Sequence, residues 1–173
     1  MFLKPAQIVE DLKIKGYLLQ GFVVGDFGCG SGYFTSLFAQ AVGPSGRVKA
    51  IDIQEEELKG AEEFVRQTGQ NNVDFILADL EEKVPLDDNS LDLVFISQVL
   101  FQSEKPEAIL KEAYRTLRRG RFLVVIEPDV EHTLFQGQKT FTKKELEDLI
   151  VSQNFEIKET KLTNGFYIII AQK

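Results

Sequence analysis

The chain has 173 residues, one cysteine, a formal net charge of -7 and a pI near 4.9. That acidity argues against a general nucleic-acid or anionic-membrane binder, since both need a positive field, and a single cysteine excludes an internal disulfide. With 43% hydrophobic residues and 14 Phe, residues 1–173 suffice for one domain around one sizeable core, and no second domain is needed. The longest apolar run, Phe166 to Ala171, is strand-sized and far short of the roughly 18 residues of a membrane span. The N-terminal MFLKPAQ lacks the apolar stretch of a signal peptide. The expectation is a cytoplasmic domain without membrane association, working as a monomer or homodimer.

In chain order, Pro5 followed by Ile8, Val9 and Leu12 marks a short amphipathic helix in an N-terminal segment, residues 1–20. It is placed over the mouth of the site that follows. The core, residues 21–173, opens with VVGDFGCGSGYFT over Val23 to Thr35: a strand ending in a carboxylate, alternate glycines, then a helix with Phe34, Leu37, Phe38 and Ala41 on one face. Glycines in such a turn admit positive φ and let a ligand lie against bare backbone at the helix N-terminus. A second strand, Arg47 to Asp52, precedes a helix carrying Leu58, Ala61, Phe64 and Val65. A third strand, Asn72 to Leu80, carries Asp79 near its end, and the polar Glu81 to Ser90 is a loop. The fourth strand lies within SLDLVFISQVLF, and the next helix buries Ile109, Leu110, Ala113, Tyr114 and Leu117. Gly120 is read as that helix's stop, with Arg115, Arg118 and Arg119 at the negative end of its dipole. After a fifth strand, Phe155–Lys161 and Phe166–Gln172 are strands joined by Leu162–Gly165, a link short enough only for an antiparallel hairpin. Alternating strands and helices define a doubly wound, Rossmann-like α/β fold, mostly parallel, with an antiparallel C-terminal edge hairpin.

Two ligand classes use a glycine turn of this kind. The dinucleotide fingerprint G-x-G-x-x-G fails, because Tyr33 occupies its third glycine position. Asp26 would repel a pyrophosphate but suits a ligand carrying an ammonium and a sulfonium. The segment Asp26-Phe27-Gly28-Cys29-Gly30-Ser31-Gly32 resembles the first motif of the class I methyltransferases, which bind S-adenosylmethionine, and the resemblance extends over essentially the whole chain. It is similar to the quinone- and arsenite-type small-molecule enzymes and implies a seven-stranded sheet. It also implies a cofactor cradle of Asp26, Gly28, Cys29, Gly30 and Gly32, with Cys29 as a small side chain filling the turn rather than a reactive thiol. Asp52, twenty positions beyond Gly32, is the carboxylate for both ribose hydroxyls. The resemblance gives Asp79 the adenine amino group, the Leu80 N–H the ring edge and Ile53 its face, with Ser97 near the methionine moiety.

Methyl transfer from a sulfonium requires reactants held in line without water, and needs neither metal nor covalent intermediate. The acceptor is expected beyond the fourth and fifth strands, near Ser97, Gln98, Gln102, Glu127, Asp129 and His132. His132, the single histidine, is a candidate base against its plainer reading as a loop residue. Gln98 and Gln102 stand where many quinone-type relatives carry histidine, and their amides orient an acceptor without taking its proton. Asp87-Asp88-Asn89 reads as a turn rather than a metal cluster, and the basic run Lys111 to Arg121 as a solvated helix end. Ser97-Gln98-Val99-Leu100 stands where amino-methylating enzymes carry N-P-P-aromatic, and one cysteine cannot hold a metalloid, so a small organic acceptor is expected. Two other functions fit the residues less fully: a catalytically inactive protein binding S-adenosylmethionine or S-adenosylhomocysteine, and a nucleotide-dependent oxidoreductase.

Overall fold

The computed structural model describes residues 3–129 and 140–173. Its strands are β1 Val23–Phe27, β2 Arg47–Asp52, β3 Val73–Leu77, β4 Leu91–Ser97, β5 Leu117–Pro128, β6 Glu156–Thr163 and β7 Phe166–Gln172. Its helices, among the described residues, are α1 Pro5–Ile14, α2 Tyr33–Val42, α3 Glu55–Gln67, α4 Pro106–Thr116 and α5 Lys143–Ser152, with a single 3-10 turn at Leu100–Gln102. The strands form one sheet in the order β3-β2-β1-β4-β5-β7-β6. Strands β1 to β5 are parallel, while β7 pairs antiparallel with both β5 and β6.

Because helices cover both faces, the central strands are apolar nearly throughout, and Leu93 to Ile96 are wholly buried. On one face Phe27, Val94, Ile96 and Val125 pack with Ile109 and Leu110 of α4 and Leu146 and Ile150 of α5. On the other, Val24, Phe95 and Val124 pack with Phe38 of α2 and Ile8, Val9 and Leu12 of α1. The Phe95 ring meets Phe34 and Phe38 with centroids 4.5 and 4.8 Å apart. These two layers hold the strand ends rigid where the loops begin.

Several sequence expectations are corrected by the packing. Helix α1 does not cover the mouth of the site. Its apolar face follows the deeper apolar surface of α2 and β7, where Ile8 and Leu12 share a groove with Ile168 and Ile170, and Lys15 binds both oxygens of Glu159 at 2.5 and 2.7 Å. Helix α4 stops at Thr116, not Gly120, because Leu117 already pairs with Leu91 of β4. Gly120, at φ +74°, lies in an irregular stretch of β5 where the register jumps from Leu91↔Leu117 to Leu93↔Phe122. There Arg118 and Arg121 reach the buried carboxylate of Asp92 at 2.7 and 3.4 Å, so Arg118 neutralises a charge rather than capping a dipole. The third strand ends at Leu77, leaving Asp79 in the following turn. The C-terminal link shrinks from four residues to Asn164–Gly165, both at positive φ (54° and 78°), as a two-residue hairpin turn requires. The hairpin does close the sheet, but its antiparallel strand β7 is the inner one, and the charged β6, EIKETKLT, forms the edge.

Candidate active site

The strand order reverses between β1 and β4, and outside the carboxyl ends of β1, β2 and β4 the loops enclose a cavity of about 500 Å³. The glycine turn forms its floor. Gly28 N–H and Cys29 N–H donate to Ile51 O at 2.8 and 3.0 Å, carrying the β1–β2 pairing past the end of β1. Gly28 has φ +79°, and a Cβ there would sit 2.3 Å from Val99 Cγ2, so this glycine is required by a side chain arriving from beyond β4. Gly30 has φ +48°, and a Cβ on it would meet no protein atom within 4 Å. Bare backbone therefore faces open cavity.

Asp52 ends β2 and is 7% exposed. Its Oδ2 accepts from Gly30 N–H and its Oδ1 from Gln54 N–H, each at 2.9 Å. Each oxygen keeps a second lone pair, and the residue lines the cavity. Ile53 beside it is 60% exposed, an aliphatic face with little protein to cover it. Asp79 Oδ1 accepts from Glu81 N–H at 2.8 Å, and Asp79 and Leu80 both line the wall. Ser97 lines the opposite wall. Its Oγ is the one buried side-chain nitrogen or oxygen without a hydrogen-bond partner among the described residues. An orphaned hydroxyl, a cradle without Cβ atoms, a carboxylate with spare acceptor capacity and an uncovered aliphatic face together fit an adenosyl-amino acid.

Asp26, Cys29 and Gly32 stand behind this wall rather than on it. Asp26 is 2% exposed, and its Oδ2 accepts from Thr35 Oγ1 at 2.6 Å. Burial raises its carboxyl to about 7 despite that bond, with the charge of Asp52 adding to the rise. Burial, with Asp26 and Asp52 behind it, pushes the Cys29 thiol far above its ordinary range, so it is not a thiolate. At Gly32 a Cβ would lie 2.8 Å from Ala61 Cβ, and the missing side chain lets α2 and α3 approach closely.

The Asp26 environment has a measurable consequence. A carboxyl raised from 3.8 to about 7 on folding gives stability that is complete below its unfolded value and lost as pH rises through its folded one. Asp26→Asn keeps an oxygen for Thr35 and removes the titration. Its melting temperature is expected to exceed that of the wild type by several degrees above neutrality, with the gap closing as pH falls toward the unfolded value. A gap independent of pH means Asp26 is not neutralised by its surroundings.

The residues after β4 build another part of the cavity wall. Gln98 has φ +58° and donates its N–H to Ile126 O at 2.7 Å, while Gln102 Nε2 donates to Gln98 O at 2.6 Å. A glutamine in the left-handed region costs about 1 kcal/mol, a strain that concentrates at functional sites. Both glutamines line the cavity. Glu127 and Asp129 do not. Asp129 Oδ1 accepts from Tyr167 Oη at 2.7 Å, and Glu127 turns inward beneath the 98–102 segment. His132 lies outside the described residues. Glu57, Glu81 and Val99 also line the cavity and carried no sequence signal of doing so. Glu57 reads as one of three acids opening a helix, and Glu81 is defined by distant partners, its Oε1 accepting from Ser103 Oγ, Glu104 N–H and Lys105 N–H at 2.7, 2.9 and 3.2 Å. Among the described residues no group of three or more His, Cys, Asp or Glu is arranged to hold a metal.

Comparison with known proteins agrees with this geometry. A family model described as "Methyltransferase domain" matches residues 19–167. The chain belongs to that family, and its class is that of the methyltransferase domains. It is 36% identical over 109 residues to the ubiquinone/menaquinone biosynthesis C-methyltransferase UbiE of Pasteurella multocida, a match covering 62% of this chain and 40% of that protein. Thus the chain spans less than half the length of this curated relative. In structure it resembles a SAM-dependent methyltransferase from Aquifex aeolicus, with TM-score 0.85, 23% identity and 98% of each chain covered. It resembles equally the [4+2]-cyclase SpnF, at TM-score 0.85 and 18% identity, over 97% of this chain and 80% of that one. At such identities the two structures speak for the fold alone.

Proposed function

We propose that the protein binds S-adenosylmethionine in this cavity and transfers its methyl group to a small organic acceptor by in-line displacement. The observation that carries this reading is Asp52, a carboxylate at the end of β2 tied to Gly30 N–H at the edge of a bare glycine cradle. When bound, the cofactor supplies an electrophilic methyl on a sulfonium. The chain's task is then to hold, orient and exclude water rather than to ionise an acceptor. Asp52 takes the ribose hydroxyls, Asp79 and Leu80 the adenine edge, and Ile53 the adenine face. Ser97 Oγ gains at the methionine end the partner it otherwise lacks.

Asp52, Glu57, Asp79 and Glu81 line the cavity, and no Lys or Arg does among the described residues. That field favours a ligand of net positive charge. Gln98 and Gln102 orient the acceptor by hydrogen bonds. A quinone-type acceptor is the first class to test, because the Pasteurella relative is by name a ubiquinone/menaquinone biosynthesis C-methyltransferase. A glutamine amide takes no proton at neutral pH, so neither Gln98 nor Gln102 serves as a base toward such an acceptor. No helix among the described residues is long and apolar enough to cross a membrane, and a lone cysteine accords with work in the reducing cytoplasm.

Isothermal titration with S-adenosylhomocysteine is expected to show one-site binding, and labelled methyl from S-adenosylmethionine is expected in an acceptor from a metabolite screen. No heat and no thermal shift at millimolar ligand overturns the reading. The oxidoreductase alternative gains no support from the family or from a sheet whose seventh strand is antiparallel. Binding without transfer gains none from the site and is decided by the same screen.

A further inference from the structure

The described cavity wall after β4 is held from beneath by one buried acid. Glu127, wholly buried at the end of β5, accepts from three successive backbone N–H groups. Its Oε1 takes Val99 N–H at 3.0 Å and Leu100 N–H at 2.8 Å, and its Oε2 takes Phe101 N–H at 3.3 Å. These are the donors that a short 3-10 turn leaves unpaired at its start. Two side chains depend on the turn's position. Val99 is the residue whose Cγ2 occupies the space a Cβ on Gly28 would need, and Gln98 is kept left-handed between Ile126 O and Gln102 Nε2. No ion pair compensates the carboxylate among the described residues, and its register neighbour on β7, Tyr167, gives its hydroxyl to Asp129. A buried, unpaired carboxylate is costly unless its hydrogen bonds are retained for another purpose.

We propose that Glu127 is a positioning residue for the transfer reaction: its carboxylate preforms the 99–101 turn, which presses Val99 onto the glycine cradle and presents Gln98 to the acceptor. The effect on cofactor binding rests on the function proposed above, whereas the effect on the turn does not. Burial raises the Glu127 carboxyl to about 7, against the opposing pull of the three N–H groups, so its charge varies across the neutral range. Protonation leaves one oxygen carrying a hydrogen and weakens the grip on the turn. Of the other acids on these strands, Asp129 accepts at Oδ1 from Tyr167 Oη, and Asp26 lies two strands away on β1, where its own burial raises it to about 7.

The test combines amide NMR with binding. In the wild type the Val99 and Leu100 amide protons are expected to move upfield together as pH falls, with a midpoint near 7, and S-adenosylhomocysteine is expected to bind more weakly over the same interval. In Glu127→Gln the titration of both amides disappears, hydrogen exchange at residues 99–101 quickens, and the dissociation constant rises about tenfold and becomes independent of pH. The assignment is overturned if hydrogen exchange at residues 99–101 is no faster in Glu127→Gln than in the wild type. It is overturned equally if Glu127→Gln binds S-adenosylhomocysteine within twofold of the wild type, or if a pH step in affinity survives in the variant, which would assign the step to Asp26. If that variant does not fold, Glu127→Asp, which draws the carboxylate back from the three N–H groups by one methylene, is read by the same exchange and binding measurements. Wild-type protein that shows the amide titration yet binds no S-adenosylhomocysteine overturns the cofactor reading and leaves the turn's dependence on Glu127 standing.

Discussion

Asp52→Ala is expected to abolish S-adenosylhomocysteine binding at micromolar ligand and to leave a folded protein of lower stability. Two ribose hydroxyls on a carboxylate make charge-assisted bonds of roughly 1.5–3 kcal/mol each, so losing both weakens binding by at least about 100-fold. The stability loss has a separate origin. Removing the carboxylate orphans the half-buried Gly30 N–H that Oδ2 holds at 2.9 Å, at a cost of about 1–3 kcal/mol. Gln54 N–H lies at an exposed residue and turns to water at little cost. Asp52→Asn separates the effects, since one amide oxygen still serves Gly30 while the charge offered to the ribose is gone. Titration calorimetry beside thermal melts reads both. An unchanged dissociation constant with a lowered melting temperature would mean that Asp52 builds the turn and does not meet the ligand.

The two cradle glycines are expected to fail in opposite ways. In Gly28→Ala the new methyl would lie 2.3 Å from Val99 Cγ2 at φ +79°. Left-handed strain and overpacking together amount to roughly 2–5 kcal/mol. The variant melts far below the wild type, and Val99→Ala in the same chain recovers the overpacking part. Gly30→Ala meets no protein atom within 4 Å, so its cost is the conformational term alone, about 1 kcal/mol. Its methyl enters space reserved for the ligand, and affinity collapses while the fold persists. If Gly30→Ala binds S-adenosylhomocysteine like the wild type, no ligand lies on that backbone.

What the sequence conveyed of this site is what local spacing can carry. A carboxylate ending a strand, glycines opening a helix and an aliphatic residue after the carboxylate are each defined within a few positions. Asp52, Gly28, Gly30 and Ile53 were legible as cavity-lining residues for that reason. Long-range pairing was not. Val99 against Gly28 joins residues 71 positions apart, and Glu127 beneath Val99 joins residues 28 apart. No periodicity encodes either contact. Asp26 was legible as an acid but not as a buried one, because its distance from the cavity depends on Thr35 folding back over it from the first turn of α2. The start of β5 was misread for a related reason. Leu117 to Arg119 are good helix formers, and the pairing of Leu117 with Leu91 of β4 and of Gly120 and Arg121 with Lys173 draws the run into the sheet instead.

The inner position of β7 sets an order of events during synthesis. Strands β1 to β4, with the glycine cradle and Asp52, can pair as they emerge, each beside a neighbour already made. Strand β5 cannot be finished that way. Its free side is covered only when Phe166–Gln172 arrives, and the strand made just before, β6, has nothing to pair with until then. For some forty residues of translation an apolar edge from Phe122 to Ile126 waits uncovered, with Glu127 at its end. Slow pausing in that stretch therefore exposes the nascent chain to edge-to-edge association, and a chaperone that shields a single strand edge would act there with most effect.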